Sequence, residues 1–397
     1  MNIGLLREGK PPPDKRVAFS PDQCAYIMQS YPELSLYVQP SQSRCFLDLE
    51  YEKNGVIITE DLSNCDVIMG IKEVPIDMLI NNKIFFFFSH TIKKQPYNKL
   101  LLQAILEKNI QLVDYETLRG GDKKRIIGFG RYAGIVGCYN SFLAYGKKST
   151  KYNLKAPQLL MGIKELYKEL KKVSLPKDFK IVLTGNGRVA NGAIEILEAL
   201  GVKKVNKFDF LNQIFSSPTY VQLNYLDYNE RIDNELVSKQ NFYNNPTEYK
   251  SVLSKYTQYA HMLITGHYYA AGNPILLSKA EIQKHACNME VIADISCDID
   301  GPIGSTIRPS TIENPIYGYN PGTQLEDDYN KDGVIAIMAV DNLPCALPRD
   351  ASLHFGEVFI QKVLPDLLTG GNIISQSTIT LNGQLTDNFN YLRDYVL

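Results

Sequence analysis

Two apolar stretches early in the chain each run directly into a side chain that can carry a proton. Asp66-Val-Ile-Met-Gly-Ile71 is followed by Lys72-Glu73, and Lys83-Ile-Phe-Phe-Phe-Phe-Ser89 by His90. As successive strands of a parallel sheet they would end on the same edge, where open α/β sheets bind ligands. An amine and an imidazole brought together there form an acid–base pair. Glu116 ends the next strand-like stretch, Ile110–Tyr115, so three consecutive strands deliver Lys72, His90 and Glu116 to one edge. Arg7, Arg16, Lys93, Lys94 and Arg125 crowd the neighbouring loops. A guanidinium grips a carboxylate through two parallel hydrogen bonds, so these cations point to a substrate with more than one carboxylate. Each residue also has a plainer reading. A lone histidine is more often structural, a lysine after a strand is normally solvated, and half of the cations can be ordinary surface charge. Convergence on one edge is what favours chemistry.

A second set of residues suits a dinucleotide. Phe179-Lys-Ile-Val-Leu-Thr-Gly185 reads as a strand entering a glycine-rich turn, and Gly185-Asn-Gly187-Arg188-Val-Ala190 matches G-x-G-x-x-A. Gly185 permits the tight turn, Gly187 lets the backbone approach a pyrophosphate, and Ala190 and Gly192 allow close helix–strand packing. The following helix carries Val189, Ala193, Ile194, Leu197 and Leu200 on its apolar face and stops at Gly201. Its free N–H groups and dipole would face the phosphates. The next strand-like stretch, Lys203–Asp209, ends in an acid, which suits the ribose hydroxyls of NAD and disfavours the 2′-phosphate of NADP. The motif alone is weak, since a merely tight strand–helix turn has the same pattern; its flanking elements strengthen it.

These residues need a scaffold of strands and helices. Asn2–Leu6, Leu34–Gln39, Asp66–Ile71, Lys83–Ser89 and Ile110–Tyr115 read as strands, with helical patterns at Pro21–Ser30 and Tyr97–Lys108. Continuous apolar strands separated by helices predict parallel sheets covered on both faces. Small and apolar residues at helical spacing from Gly134 to about Lys172 predict one or two long helices bridging to a second domain. Met262–Thr265, Val291–Ile295 and Val334–Val340 are its later strands. Residues 210–258, rich in Asn, Tyr and Ser, read as an irregular insertion, and the tail after Gly370-Gly371 as a surface strand and short helix. The fold class expected is α/β with two Rossmann-like, doubly wound parallel-sheet domains separated by a cleft. A near-neutral net charge of −1 gives no reason to expect a nucleic-acid or anionic-membrane partner. No apolar run approaches the ~18 residues of a membrane span, and the first residues lack the basic and apolar regions of a signal peptide. Seven scattered cysteines without C-x-x-C read as reduced thiols with little metal signal. The expectation is a soluble cytoplasmic protein with a small-molecule substrate.

The motifs resemble those of the alanine dehydrogenase and saccharopine dehydrogenase superfamily. Arg7-Glu-Gly-Lys-Pro-Pro-Pro-Asp-Lys-Arg16-Val-Ala-Phe-Ser-Pro21 looks like its opening segment. Gly70-Ile-Lys72-Glu73, Phe88-Ser-His90, Phe129-Gly-Arg-Tyr-Ala-Gly134, Asp294-Ile-Ser-Cys-Asp298 and Asp341-Asn-Leu-Pro-Cys-Ala-Leu-Pro-Arg-Asp350 follow in order. The later motifs are more similar to saccharopine dehydrogenase and lysine–ketoglutarate reductase than to alanine dehydrogenase. The resemblance implies that Lys72 is a proton acceptor and His90 a proton donor. It implies substrate contacts at Arg7, Arg125, Phe129 and Gln95 with Lys93 as a neighbour, and the resemblance to alanine dehydrogenase adds Arg16 and Asp298; Glu116 joins them from its place at the strand end. NAD contacts fall at Gly185, Gly187, Arg188, Asp209 and Tyr268, with Ile295 and Val340, Asp341, Asn342 and Leu343 where cofactor and substrate meet. It also implies a substrate domain over 1–150, an NAD-binding domain over 151–344, and residues 345–397 packing back on the first. Ala190 stands in place of a family glycine, and Lys124 and Arg131 depart from fungal saccharopine dehydrogenase. The reaction implied is NAD-dependent oxidation of saccharopine to lysine and 2-oxoglutarate. Alanine oxidation, an NADPH-dependent lysine–ketoglutarate reductase and a non-catalytic NAD-binding regulator remain rivals.

Overall fold

Four consecutive phenylalanines, Phe85 to Phe88, show how the first sheet is assembled. Side chains alternate across a strand, so Phe85 and Phe87 enter a core with Ile68, Leu102, Ile105 and Leu112. Phe86 and Phe88 go to the opposite face, against Phe359 and Phe355 of the helix Pro348–Lys362. Both faces are covered, which is why the strand reads as one apolar run. The computed structural model describes residues 1–270, 272–285 and 288–397, so Cys287 lies outside the described residues. No disulfide joins any two of the six described cysteines.

The chain forms two units: residues 1–129 with 348–397, and residues 130–347. The first begins with β1 (Asn2–Leu5), β2 (Ser35–Val38), β3 (Ile57–Ile58), β4 (Val67–Met69), β5 (Ile84–Phe87) and β6 (Gln111–Asp114). The second contains β7 (Lys180–Thr184), β8 (Lys203–Val205), β9 (Thr219–Leu223), β10 (Asn229–Arg231), β11 (Tyr249–Ser251) and β12 (Met262–Thr265). It continues with β13 (Val291–Asp294), β14 (Tyr317–Asn320), β15 (Leu325–Asp327) and β16 (Ile335–Met338), and the first unit is completed by β17 (Thr378–Leu381) and β18 (Gln384–Leu385).

The first sheet has the order β18-β17-β6-β5-β4-β1-β2-β3, parallel from β6 to β3. The chain runs outward from β1 and returns to β4 on the other side, so the switch point lies between β1 and β4. The returning tail is not a surface strand. β17 pairs antiparallel with β6, with Thr378, Ile379 and Thr380 buried. Its polar composition is satisfied inside: Thr380 Oγ1 donates to Ile110 O at 2.7 Å and Thr378 Oγ1 to Ile374 O at 2.8 Å.

The second sheet has the order β15-β14-β16-β13-β12-β7-β9-β8, with its switch point between β7 and β12. The sequence reading fails here in two places. Lys203–Asp209 is not one strand: β8 stops at Val205, and Asn206 caps a short helix, Lys207–Asn212, that carries Asp209. The strand beside β7 is β9, which lies inside the stretch read as irregular. That stretch also holds the hairpin of β10 and β11 and the helix Lys239–Asn244.

The helix Gly130–Ser149 belongs to the second unit, so the boundary falls after Phe129 rather than near residue 150. The stretch from Gly134 to Lys172 splits into this helix and Ile163–Leu170. Close approach of the first to the helix Arg188–Ala199 fixes its place. A Cβ on Gly134 would sit 1.9 Å from the Val189 carbonyl oxygen, and one on Gly192 2.0 Å from that of Arg131. Gly192 therefore serves helix–helix contact, not the helix–strand packing expected of it. Gly134→Ala should lower unfolding stability by about 1–3 kcal/mol, the usual cost of overpacking. Gly121→Ala, with open space around its Cβ, should not. Equal denaturation midpoints for wild type and Gly134→Ala would contradict this packing.

Candidate active site

In the first unit, β4, β5 and β6 end side by side and present Lys72, His90 and Glu116 on the carboxyl edge. Glu73, next to Lys72, accepts from His90 Nδ1 at 2.8 Å and so ties the ends of β4 and β5 together. Its second oxygen accepts from Lys10 Nζ at 3.0 Å. Burial alone would raise the Glu73 carboxyl, but the bonds from His90, its own backbone and Lys10 carry it down to about 2. With Glu73 ionised, Nδ1 of His90 is the protonated nitrogen that donates, which leaves Nε2 to meet a substrate.

His90 itself adopts a left-handed backbone, φ 53°, uncommon for a residue with a side chain. Asp114, fully buried at the end of β6, holds the turn. It accepts from Ser89 N at 2.9 Å and Ser89 Oγ at 2.5 Å through one oxygen, and from Glu116 N at 2.7 Å through the other. Burial pushes its carboxyl up against those bonds. Beneath His90 lies an aromatic layer: Phe88 stacks on the imidazole at 6.3 Å, and Phe129 stacks on Phe355 at 4.8 Å.

The surrounding cations are mostly matched by carboxylates. Arg16 is buried, doubly bonded to Asp14 at 2.9 and 2.5 Å, and lies 4.1 Å over the Phe129 ring. Arg125 and Lys93 both reach Glu116 Oε1, at 3.2 and 3.5 Å. The other oxygen of Glu116 is buried without a hydrogen-bond partner among the described residues. Arg7 is engaged by Glu60 at 2.7 Å on the exposed surface, so its guanidinium is not gathered with the others. Gln95 accepts from the Tyr97 hydroxyl. Unlike these cations, Lys72 has no carboxylate partner among the described residues. Sequence reasoning gave no role to Glu73, Asp14 or Asp114. Glu73 and Asp14 carried the one visible signal, an acid beside a candidate cation.

In the second unit, Gly185 follows β7 with φ 93°, and a Cβ there would lie 2.3 Å from the Gly266 carbonyl oxygen at the end of β12. Only glycine fits this turn. Space above Gly187 is open, and exposed Arg188 begins the helix. Thr184 Oγ1 bonds His267 Nδ1 at 2.6 Å. Burial keeps that imidazole neutral, its pKa lowered to about 4. Asp294, at the end of β13, gathers the hydroxyls of Thr265, Ser296 and Thr306 at 2.6–2.8 Å. A glycine turn, an open approach and a twelve-residue helix whose N-terminus faces a switch point fit a dinucleotide pyrophosphate.

The other expected contacts divide. Tyr268 is 82% exposed after β12, and Asp298 and Asp341 are exposed. Ile295 and Leu343 pack against Gly137 of the long helix, and Val340 is buried. Asn342 takes φ 58° and donates to Cys345 Sγ. Asp209 does not reach the crevice strand: its carboxylate is bonded by Asn206 and Gln213 beside edge strand β8. The residue that follows β9, the strand next to β7, is Asn224, and Asp227 accepts its N–H at 2.8 Å while pairing with Lys207.

With this geometry in view, likeness to known proteins becomes informative. Residues 4–136 match the family "Alanine dehydrogenase/PNT, N-terminal domain". The chain is 28% identical over 98% of its length to an alpha-aminoadipic semialdehyde synthase of Arabidopsis thaliana, of which it spans 41%. It is 24% identical to a saccharopine dehydrogenase [NAD(+), L-lysine-forming] of Candida albicans, covering 91% of this chain and 90% of that one. The solved structure of an L-alanine dehydrogenase superposes over the whole of both chains with a TM-score of 0.66 at 15% identity. The two-sheet fold is therefore that of alanine dehydrogenase, and the chain's sequence relatives include saccharopine dehydrogenases. Among the described residues, no cluster of His, Cys, Asp and Glu could hold a metal ion and no helix is long and apolar enough to cross a membrane.

Ionised Glu73 stabilises the fold above the ordinary carboxyl value of 4.5, and that contribution is lost as the pH falls toward about 2. Glu73→Gln should flatten the fall in unfolding free energy across this window. An unaltered slope in acid denaturation would contradict the pairing.

Proposed function

We propose that the chain is an NAD-dependent oxidoreductase that oxidises the secondary amine of saccharopine and releases lysine and 2-oxoglutarate. The observation that carries this reading is the edge of the first sheet. There Lys72, free of a carboxylate partner among the described residues, stands beside His90, whose Nδ1 is held by Glu73. The first unit would hold the substrate and the second the dinucleotide.

The dinucleotide, when bound, supplies the hydride acceptor; Gly185, Gly187 and the N-terminus at Arg188 would hold its phosphates. Lys72 takes the amine proton as hydride leaves the adjacent carbon, turning C–N into C=N. Water adds to that carbon and gives up a proton to His90 Nε2, and His90 passes that proton on to the departing lysine nitrogen as the C–N bond breaks. Saccharopine, NAD⁺ and water thus give lysine, 2-oxoglutarate, NADH and a proton. Arg16, fixed by Asp14 and Phe129, and Arg125 with Lys93 beside Glu116 would meet the substrate carboxylates, with Gln95 at their margin. Arg7 would join them by leaving Glu60, an exposed pair of a kind worth about 0–1 kcal/mol.

The preference for NAD rests on Asn224 and Asp227 in place of Asp209, since a carboxylate at this turn disfavours a 2′-phosphate. Lys207 at the same turn favours the second reading, reductive condensation of lysine with 2-oxoglutarate by NADPH. Assays with saccharopine, with alanine, and with lysine plus 2-oxoglutarate, using both cofactors, separate these readings from alanine oxidation and from a non-catalytic role.

Positioned acid–base groups contribute about 10²–10⁴-fold. Lys72→Met and His90→Gln should each lose kcat on that scale while NADH affinity, read by fluorescence, is kept. Full turnover in both variants would overturn the assignment.

A further inference from the structure

Glu8 follows β1 and Lys72 follows β4, the two strands that flank the switch point of the first sheet. The Glu8 carboxylate spans that gap. One oxygen accepts the Ile71 N–H at 2.6 Å and the other the Lys72 N–H at 2.9 Å. Sheet pairing does not reach these two N–H groups: the bonds around them are Leu6 N to Met69 O on one side, and Gly70 N to Phe86 O and Phe88 N to Ile71 O on the other. A carboxylate bonding two successive amides fixes both oxygens and both peptide planes, and such charge-assisted bonds are the strong ones. The backbone from which the Lys72 side chain departs is therefore set by Glu8.

We infer that Glu8 is a positioning residue for Lys72, acting on the reaction only through the loop that it clamps. This rests on Lys72 being the proton acceptor. Other groups shape the clamp. Asp14 and Arg16 act on Glu8 from the following loop and Tyr115 from the end of β6, while Arg7 and Arg44 line the same small cavity. Burial raises the Glu8 carboxyl to about 8 against the pull of the two N–H bonds, so the clamp reaches full strength as the pH rises through that value.

A double-mutant cycle separates positioning from general structural support, because groups that act as one unit lose their effects non-additively. A misplacement of the order of 1 Å can cost about 100-fold, so Glu8→Ala should lower kcat about 10- to 100-fold with NADH affinity unchanged. Glu8→Gln, which keeps one acceptor oxygen, should lose less and serves if the alanine variant fails to fold. Glu8→Ala combined with Lys72→Met should be no slower than Lys72→Met alone. Wild-type kcat in Glu8→Ala, or a further tenfold loss when it is added to Lys72→Met, would overturn the inference. An inactive Lys72→Met beside a fully active Glu8→Ala removes this inference alone. A fully active Lys72→Met removes the reading of Lys72 and this one with it.

Discussion

Parallel strands must end on one edge, and at a switch point the two central strands send their chains in opposite directions. Backbone groups just beyond those ends lose their ladder partners and must find others. In the first unit the Glu8 carboxylate takes the amides of Ile71 and Lys72. In the second, the Gly266 amide reaches Thr184 O at 2.9 Å, and the Thr184 hydroxyl pairs with His267. Satisfying the gap between strands thus also fixes the residues offered to ligands. The candidate base rides on one such junction and the glycine turn on the other.

Charge compensation governs the rest of the first site. Asp14 holds Arg16, Glu116 holds Arg125 and Lys93, Glu60 holds Arg7, and Glu73 serves both Lys10 and His90. Truncating one partner of a buried pair costs far more than truncating an exposed one. Arg16–Asp14 is accordingly a fixed element, whereas Arg7–Glu60 can open. The aromatic layer of Phe88, Phe129 and Phe355 underlies this arrangement and joins the first 129 residues to the returning helix Pro348–Lys362.

Apolar runs ending in Lys72, His90 and Glu116 were legible because a covered parallel strand advertises itself locally. The turn at Gly185 was legible for the same reason. Asp209 misled because periodicity shows that a stretch is a strand without showing its neighbour, and here β9 displaces β8 from the side of β7. β17 misled because Thr-Ile-Thr-Leu looks like an exposed edge, while its hydroxyls in fact bond to buried carbonyls. Glu8 and Asp114 went unnoticed since their partners include backbone amides, which leave no mark on residue spacing.

The most direct test of the central claim is stoichiometry. Purified protein would be supplied with saccharopine and NAD⁺, with NADH followed by absorbance and amino acids by chromatography. The proposed chemistry predicts one lysine and one 2-oxoglutarate for each NADH formed. Reduction of NAD⁺ without lysine release, or no reduction with saccharopine beside turnover of alanine, would contradict it.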